Sequence, residues 1–122
     1  MDTPAARATK KIVGDDSYTL FIEAPTAKAF VLDIAIPVGY KVISLTSKLA
    51  SGTCTINAQR IVAGVAGSIA GLSAIAASST KLTSAPTNDG TEAITEGDGL
   101  QVTLSAISSP VDLSISIRVA RQ

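Results

Sequence analysis

A chain of 122 residues with 46% apolar content is about one domain, with enough apolar sequence for a packed core. Charged residues are 16% and balance to zero, histidine is absent and there is one cysteine. These facts exclude Ser-His-Asp and Cys-His nucleophile arrangements, His-ligated zinc or iron, a thiolate zinc site and an intramolecular disulfide.

The apolar content is Ile, Val, Leu and Ala; aromatics are only 3% and Trp is absent. Thr and Ser supply most of the polar surface. β-Branched residues and Thr suit a pleated, half-buried sheet better than a helix.

The opening MDTPAARATKK has no apolar run of the kind a secretory signal carries. Arg7, Lys10 and Lys11 stand against Asp2, and residues 1–17 read as an extended N-terminal arm. The rest, 18–122, reads as one β-domain. YTLFIEA (18–24) and KAFVLDIAI (28–36) are parted by Pro25. In the second, Phe30, Leu32, Ile34 and Ile36 alternate with Val31, Asp33 and Ala35, the period of a strand. After the turn residues Pro37 and Gly39, KVISLTSKLASG (41–52) places Ile43, Leu45 and Leu49 on one parity. TCTINA (53–58) follows with Cys54, Ile56 and Ala58 facing one way, so Cys54 is expected to be a small buried apolar residue.

Residues 61–80, IVAGVAGSIAGLSAIAASST, carry no charge and are long enough to cross a bilayer, with Gly67 and Gly71 forming a GxxxG. Composition argues against a span. Most of the run is Gly, Ala, Ser and Thr, with little transfer energy, no aromatic belt and three helix-weakening glycines. The expectation is strands and loops packed against the sheet, with one short buried helix as the other reading and no role for a membrane.

TNDGTEAITEGDG (87–99) gathers Asp89, Glu92, Glu96 and Asp98. A calcium loop or a glycosidase pair uses such carboxylates, but the spacing is not DxDxDG and no aromatic sugar platform accompanies it. Asn88-Asp89-Gly90 and Gly97-Asp98-Gly99 are turn sequences, which makes turns with solvated charges the expectation and no metal or cofactor. LQVTLSA (100–106) and LSISIRVARQ (113–122) then alternate strictly, with Leu100, Val102, Leu104 and Ala106 inward in the first and Leu113, Ile115, Ile117 and Val119 in the second. With Ser-Ser-Pro between them, the pair reads as an antiparallel hairpin.

Short strands at this spacing predict an all-β fold, a single antiparallel β-sandwich or jelly-roll-like domain with the N-terminal arm attached. No phosphate-cradling motif is present, and GVAGSIAG does not fit GxGxxG. Scattered basic residues and few aromatics give no nucleic-acid platform. The chain is therefore expected not to be an enzyme.

The segments TCTINAQRIVAG, IAGLSAIAASST and TEGDGLQVTLSAISSPVDLSISIRV resemble small β-sandwich structural proteins encoded among the virion genes of tailed bacteriophages. The resemblance covers roughly 41–122 and is a texture of small apolar and Thr/Ser residues. It implies a virion component made in the host cytoplasm and placed on the capsid surface. As a decoration (cement) protein, such a domain would form homo-oligomers, with a trimer favoured, and clamp neighbouring major capsid subunits. Arg7, Lys10 and Lys11 would then be the candidate capsid contacts. The alternative the resemblance implies is a tail-fibre or baseplate domain with a host-receptor or assembly role.

Overall fold

A computed structural model describes residues 6–13, 15–36 and 38–122, with side chains from Ser17 onward. It contains strands β1 (Ala6–Val13), β2 (Asp15–Ile22), β3 (Ala29–Asp33), β4 (Tyr40–Lys48), β5 (Ser51–Val62), β6 (Val65–Ser68), β7 (Ile75–Ala77), β8 (Leu82–Ser84), β9 (Ala93–Ile94), β10 (Gly99–Val111) and β11 (Leu113–Arg121). Every pairing is antiparallel. One sheet runs β1-β2-β11-β4-β8, with β9 also on β4; the other runs β3-β10-β5-β6, with β7 also on β5. The fold is an all-β sandwich.

Alternation builds the core. Tyr18, Leu20 and Ile22 of β2, Leu113, Ile115, Ile117 and Val119 of β11, and Cys54, Ile56 and Ala58 of β5 are all buried. Those of β2 and β11 face those of β5 and Leu100, Val102 and Leu104 of its neighbour β10 in one apolar cluster. Each such Leu or Ile contributes about 1.5–3 kcal/mol by leaving water. The loop residues Ile69 and Leu72 complete the cluster, so the uncharged run 61–80 is strand and loop packed on the sheet. No helix among the described residues is long and apolar enough to cross a membrane.

Bulges account for the places where strict alternation misleads. On β4, Arg118 pairs with Ser44 and Val119 with Val42, so Ile43 is an extra residue. It turns outward, 39% exposed, and the buried set becomes Tyr40, Val42, Leu45 and Ser47, with Leu49 just past the strand. The expected strand 28–36 ends at Asp33, whose Oδ1 accepts the Ala35 N–H at 3.2 Å. This short turn throws Ile34 into solvent, 83% exposed, while Ile36 returns to the core. On β10, register shifts between Ser105 and Ser108 and between Ser108 and Val111 carry the strand through Ser-Ser-Pro. Ala106 has φ 48°, and it is exposed rather than inward.

The expected C-terminal hairpin does not form. β10 pairs with β3 and β5, whereas β11 pairs with β2 and β4 in the opposite sheet. The bulges and Asp112 at φ 53° turn the chain across the sandwich instead of back on itself. A Cβ on Gly52, at φ +78°, would run into the backbone carbonyl of Ser109, so the bulged end of β10 requires glycine there.

Within the segment read as an arm, Ala6–Val13 pairs along its length with β2 as the outermost strand of its sheet. Residues 1–5 lie outside the described residues.

Candidate functional site

The outward side of the β2-β11-β4 sheet is paved with hydroxyls. Thr19 pairs with Ser116, Ser116 with Thr46 and Thr46 with Thr83, a row crossing four strands. Thr46 and Thr83 share a hydrogen bond of 3.0 Å between their Oγ1 atoms. The neighbouring row is Phe21, Ser114 and Lys48, so an aromatic ring and an ammonium group flank the hydroxyls. Between these rows lies a cleft of about 480 Å³, lined by Thr19, Phe21, Thr46, Lys48, Lys81 and Ser116 among others. The exposed lining of the cleft is mainly apolar, with one aromatic ring, hydroxyls and two ammonium groups around it.

Of the candidate contacts, Arg7 pairs in register with Phe21, Lys10 with Tyr18 and Lys11 with Ser17. Arg7 therefore holds a position continuing the Phe21–Ser114–Lys48 row, Lys11 a position of the same phase opposite Ser17, and Lys10 is one residue out of phase with both.

The acidic segment 87–99 is organised from within. Asp89 Oδ1 accepts the Thr91 hydroxyl at 2.6 Å and the Thr91 N–H at 3.0 Å. These bonds hold the Asp89 carboxyl below the usual carboxylate range, the hydroxyl contributing most. Thr91 Oγ1 in turn accepts the Ala70 N–H at 2.9 Å. Asn88 at φ 62° and Gly90 at φ +103° make the turn that the sequence announces. The expected solvation of its charges does not hold for Glu92. That residue is buried, accepts the Gly90 N–H at 2.9 Å and lies 4.0 Å from Lys41 Nζ.

Arg60, distant in sequence, donates to the Ala93 carbonyl at 2.8 Å and the Gly90 carbonyl at 3.4 Å. Sequence spacing gave no sign of Arg60 or Lys41 here, because both arrive from other strands. Among the described residues no group of three or more His, Cys, Asp or Glu side chains could hold a metal ion.

On the other sheet, Gln59 Oε1 accepts from Gln101 Nε2 at 2.6 Å and from Thr103 Oγ1 at 2.8 Å, a cross-strand amide cluster. Cys54 is buried, and burial pushes its thiol pKa up.

No protein-family model and no curated protein matches the chain. Among solved structures it is similar to a protein of infectious bursal disease virus, Gx strain, at 15% identity and TM-score 0.46, covering 98% of this chain and 33% of that one. It is similar to the N-terminal cellulose-binding domain of β-1,4-glucanase C from Cellulomonas fimi at 13% identity and TM-score 0.42, covering 87% and 77%. The family 11 carbohydrate-binding module of a cellulosomal cellulase of Clostridium thermocellum gives 13% and 0.43, covering 98% and 85%. The chain spans about a third of the length of the viral protein and most of the two modules. A virus particle and two carbohydrate-binding modules do not choose a function between them.

Proposed function

We propose that this chain is a non-enzymatic structural protein of a virion, a capsid decoration protein that self-associates and clamps neighbouring major capsid subunits. The observation that carries the reading is the surface. The outward side of the β2-β11-β4 sheet is a row of hydroxyls, and large apolar side chains stand in solvent elsewhere, Ile34 at 83% and Val65 at 70%. A chain of zero net charge with such a surface is suited to being covered by neighbours rather than to repelling them. The resemblance of residues 41–122 to tailed-phage virion proteins gives that surface a setting. Of the carboxylates of 87–99, Glu92 is buried and bonded to the Gly90 N–H and the exposed Asp89 is bonded to Thr91, an arrangement suited to holding a turn.

In this reading the β1 positions of Arg7 and Lys11, in register with Phe21 and Ser17, lie against an acidic patch on the capsid. The test is co-sedimentation of the purified chain with capsids lacking it, at low and high salt. Changing Arg7, Lys10 and Lys11 together to Ser keeps β1 and removes its charge; loss of binding supports the contact, and unchanged binding refutes it.

The cleft lined by Phe21, Lys48 and Lys81 favours one alternative, a tail-fibre or baseplate domain that holds a host surface polymer. That reading requires the isolated chain to bind host cells, and requires Phe21→Ala to abolish the binding.

A further inference from the structure

The uncharged run 61–80 has an outcome beyond packing. β5 turns into β6 through Ala63 and Gly64, at φ 51° and φ +80°, the conformation of a two-residue type I′ hairpin. β6 is the end strand of its sheet, and all four of its residues, Val65–Ser68, are exposed. Natural edge strands are guarded by charge, proline, bulges or extreme shortness. β1 carries Arg7, Lys10 and Lys11; β3 has Lys28 before it, Asp33 at its end and a register shift; β8 follows Lys81. β7 is three residues long, and the Ser78 carbonyl beyond it accepts the Leu49 N–H at 2.9 Å. Among the described edges, β6 combines the absence of charge, proline and bulge with complete exposure.

We infer that β6 is a pairing edge for β6 of a second copy, joined antiparallel about a two-fold axis at Gly67. The register follows from the hydrogen-bond pattern, and β6 meets it with an uncharged copy of itself. In a two-residue hairpin the closing pair, here Val62 and Val65, exchanges both backbone bonds, and bonded pairs alternate from there. The N–H and C=O groups of Ala66 and Ser68 therefore point away from β5. Placing Gly67 opposite Gly67 of the second copy sets Ala66 against Ser68 of the partner subunit, and Ser68 against the partner's Ala66. Both bonded pairs are then complete, and no charge opposes itself across the axis.

β6 ends its sheet with all four residues exposed, so its edge is open, and a Cβ on Gly67 would meet nothing within 4 Å, so the face there takes a side chain. Val62 and Val65, 43% and 70% exposed, extend apolar surface alongside it for a neighbouring copy to cover. The contact supplies one interface for the self-association proposed above. It stands on the edge alone, and it would link trimers pairwise rather than close one.

The experiment uses the purified full chain without capsids, so that its result is separate from the virion reading. Sedimentation equilibrium of the wild type should give an even number of chains, and Gly67→Lys should halve that mass with the thermal midpoint of the monomer unchanged. Gly67→Cys should give a disulfide-linked dimer on mild oxidation, because cross-strand Cα atoms of a non-bonded pair lie within disulfide reach. Val65→Cys should not, since its two copies stand several residues apart along the pair. A wild type that is monomeric at all concentrations, a mass unaffected by Gly67→Lys, or equal cross-linking at both cysteines would overturn the inference.

Discussion

Tyr18 on β2 donates its phenol hydroxyl to Asp33 Oδ2 at the end of β3 across 2.9 Å. The bond ties a strand of one sheet to a strand of the other, and it uses the polar tip of a residue whose ring is buried in the core. Replacing Tyr18 by Phe keeps the ring and removes the bond. The expected cost is about 1 kcal/mol, the usual net worth of an intramolecular hydrogen bond. Urea unfolding of the two proteins measures it, and an unchanged midpoint would mean that the clasp contributes nothing.

Ser47 offers the opposite sign. It is 1% exposed between Leu45 and Leu49, and its Oγ has no hydrogen-bond partner among the described residues. A buried hydroxyl without a partner carries a desolvation cost, so Ser47→Ala should be neutral or should stabilise by up to about 1 kcal/mol. Leu45→Ala nearby should cost about 2–5 kcal/mol. Thermal unfolding of both variants separates an orphaned polar atom from a packed one.

The 87–99 turn rests on Arg60. Arg60→Met keeps much of the stem and removes the guanidinium donors to Ala93 and Gly90. The expected loss is about 1.5–3 kcal/mol, since the donor is charged. Hydrogen exchange should rise at residues 89–95 and stay unchanged on β11. Uniform exchange across both regions would show that Arg60 supports the whole sandwich rather than this loop.

Asp89 sets a pH dependence in the same loop. Its folded pKa lies below its unfolded value, because Thr91 bonds to the ionised form. The contribution is therefore present above the unfolded carboxylate range, about pH 4, and is lost as pH falls through the folded value. Carboxyl NMR titration should place Asp89 below an aspartate without such hydrogen bonds, and Thr91→Val should raise it.

The strand content was legible in the sequence because the strict alternation of β11 and of the first half of β10 has no other physical reading. Cys54, Ile56 and Ala58 were placed inward for the same reason, and they are buried. Alternation failed at Ile43, Ile34 and Ala106, where a bulge or a side-chain-capped turn changes the phase; a parity rule contains no term for an extra residue. β10 and β11 depart from the expected hairpin for another reason. Two adjacent alternating strands fit a hairpin and a crossing between sheets equally well, and only the pairing decides. At the candidate site, the turn glycines around Asp89 were readable, but Arg60 and Lys41 were not. The hydroxyl row has no sequence signature either, because its members come from four strands.

Placement on a virion is read out by electron microscopy of purified particles labelled with an antibody to this chain. A decoration protein gives label distributed over the capsid surface. Label confined to the tail, or particles that carry none, would contradict it.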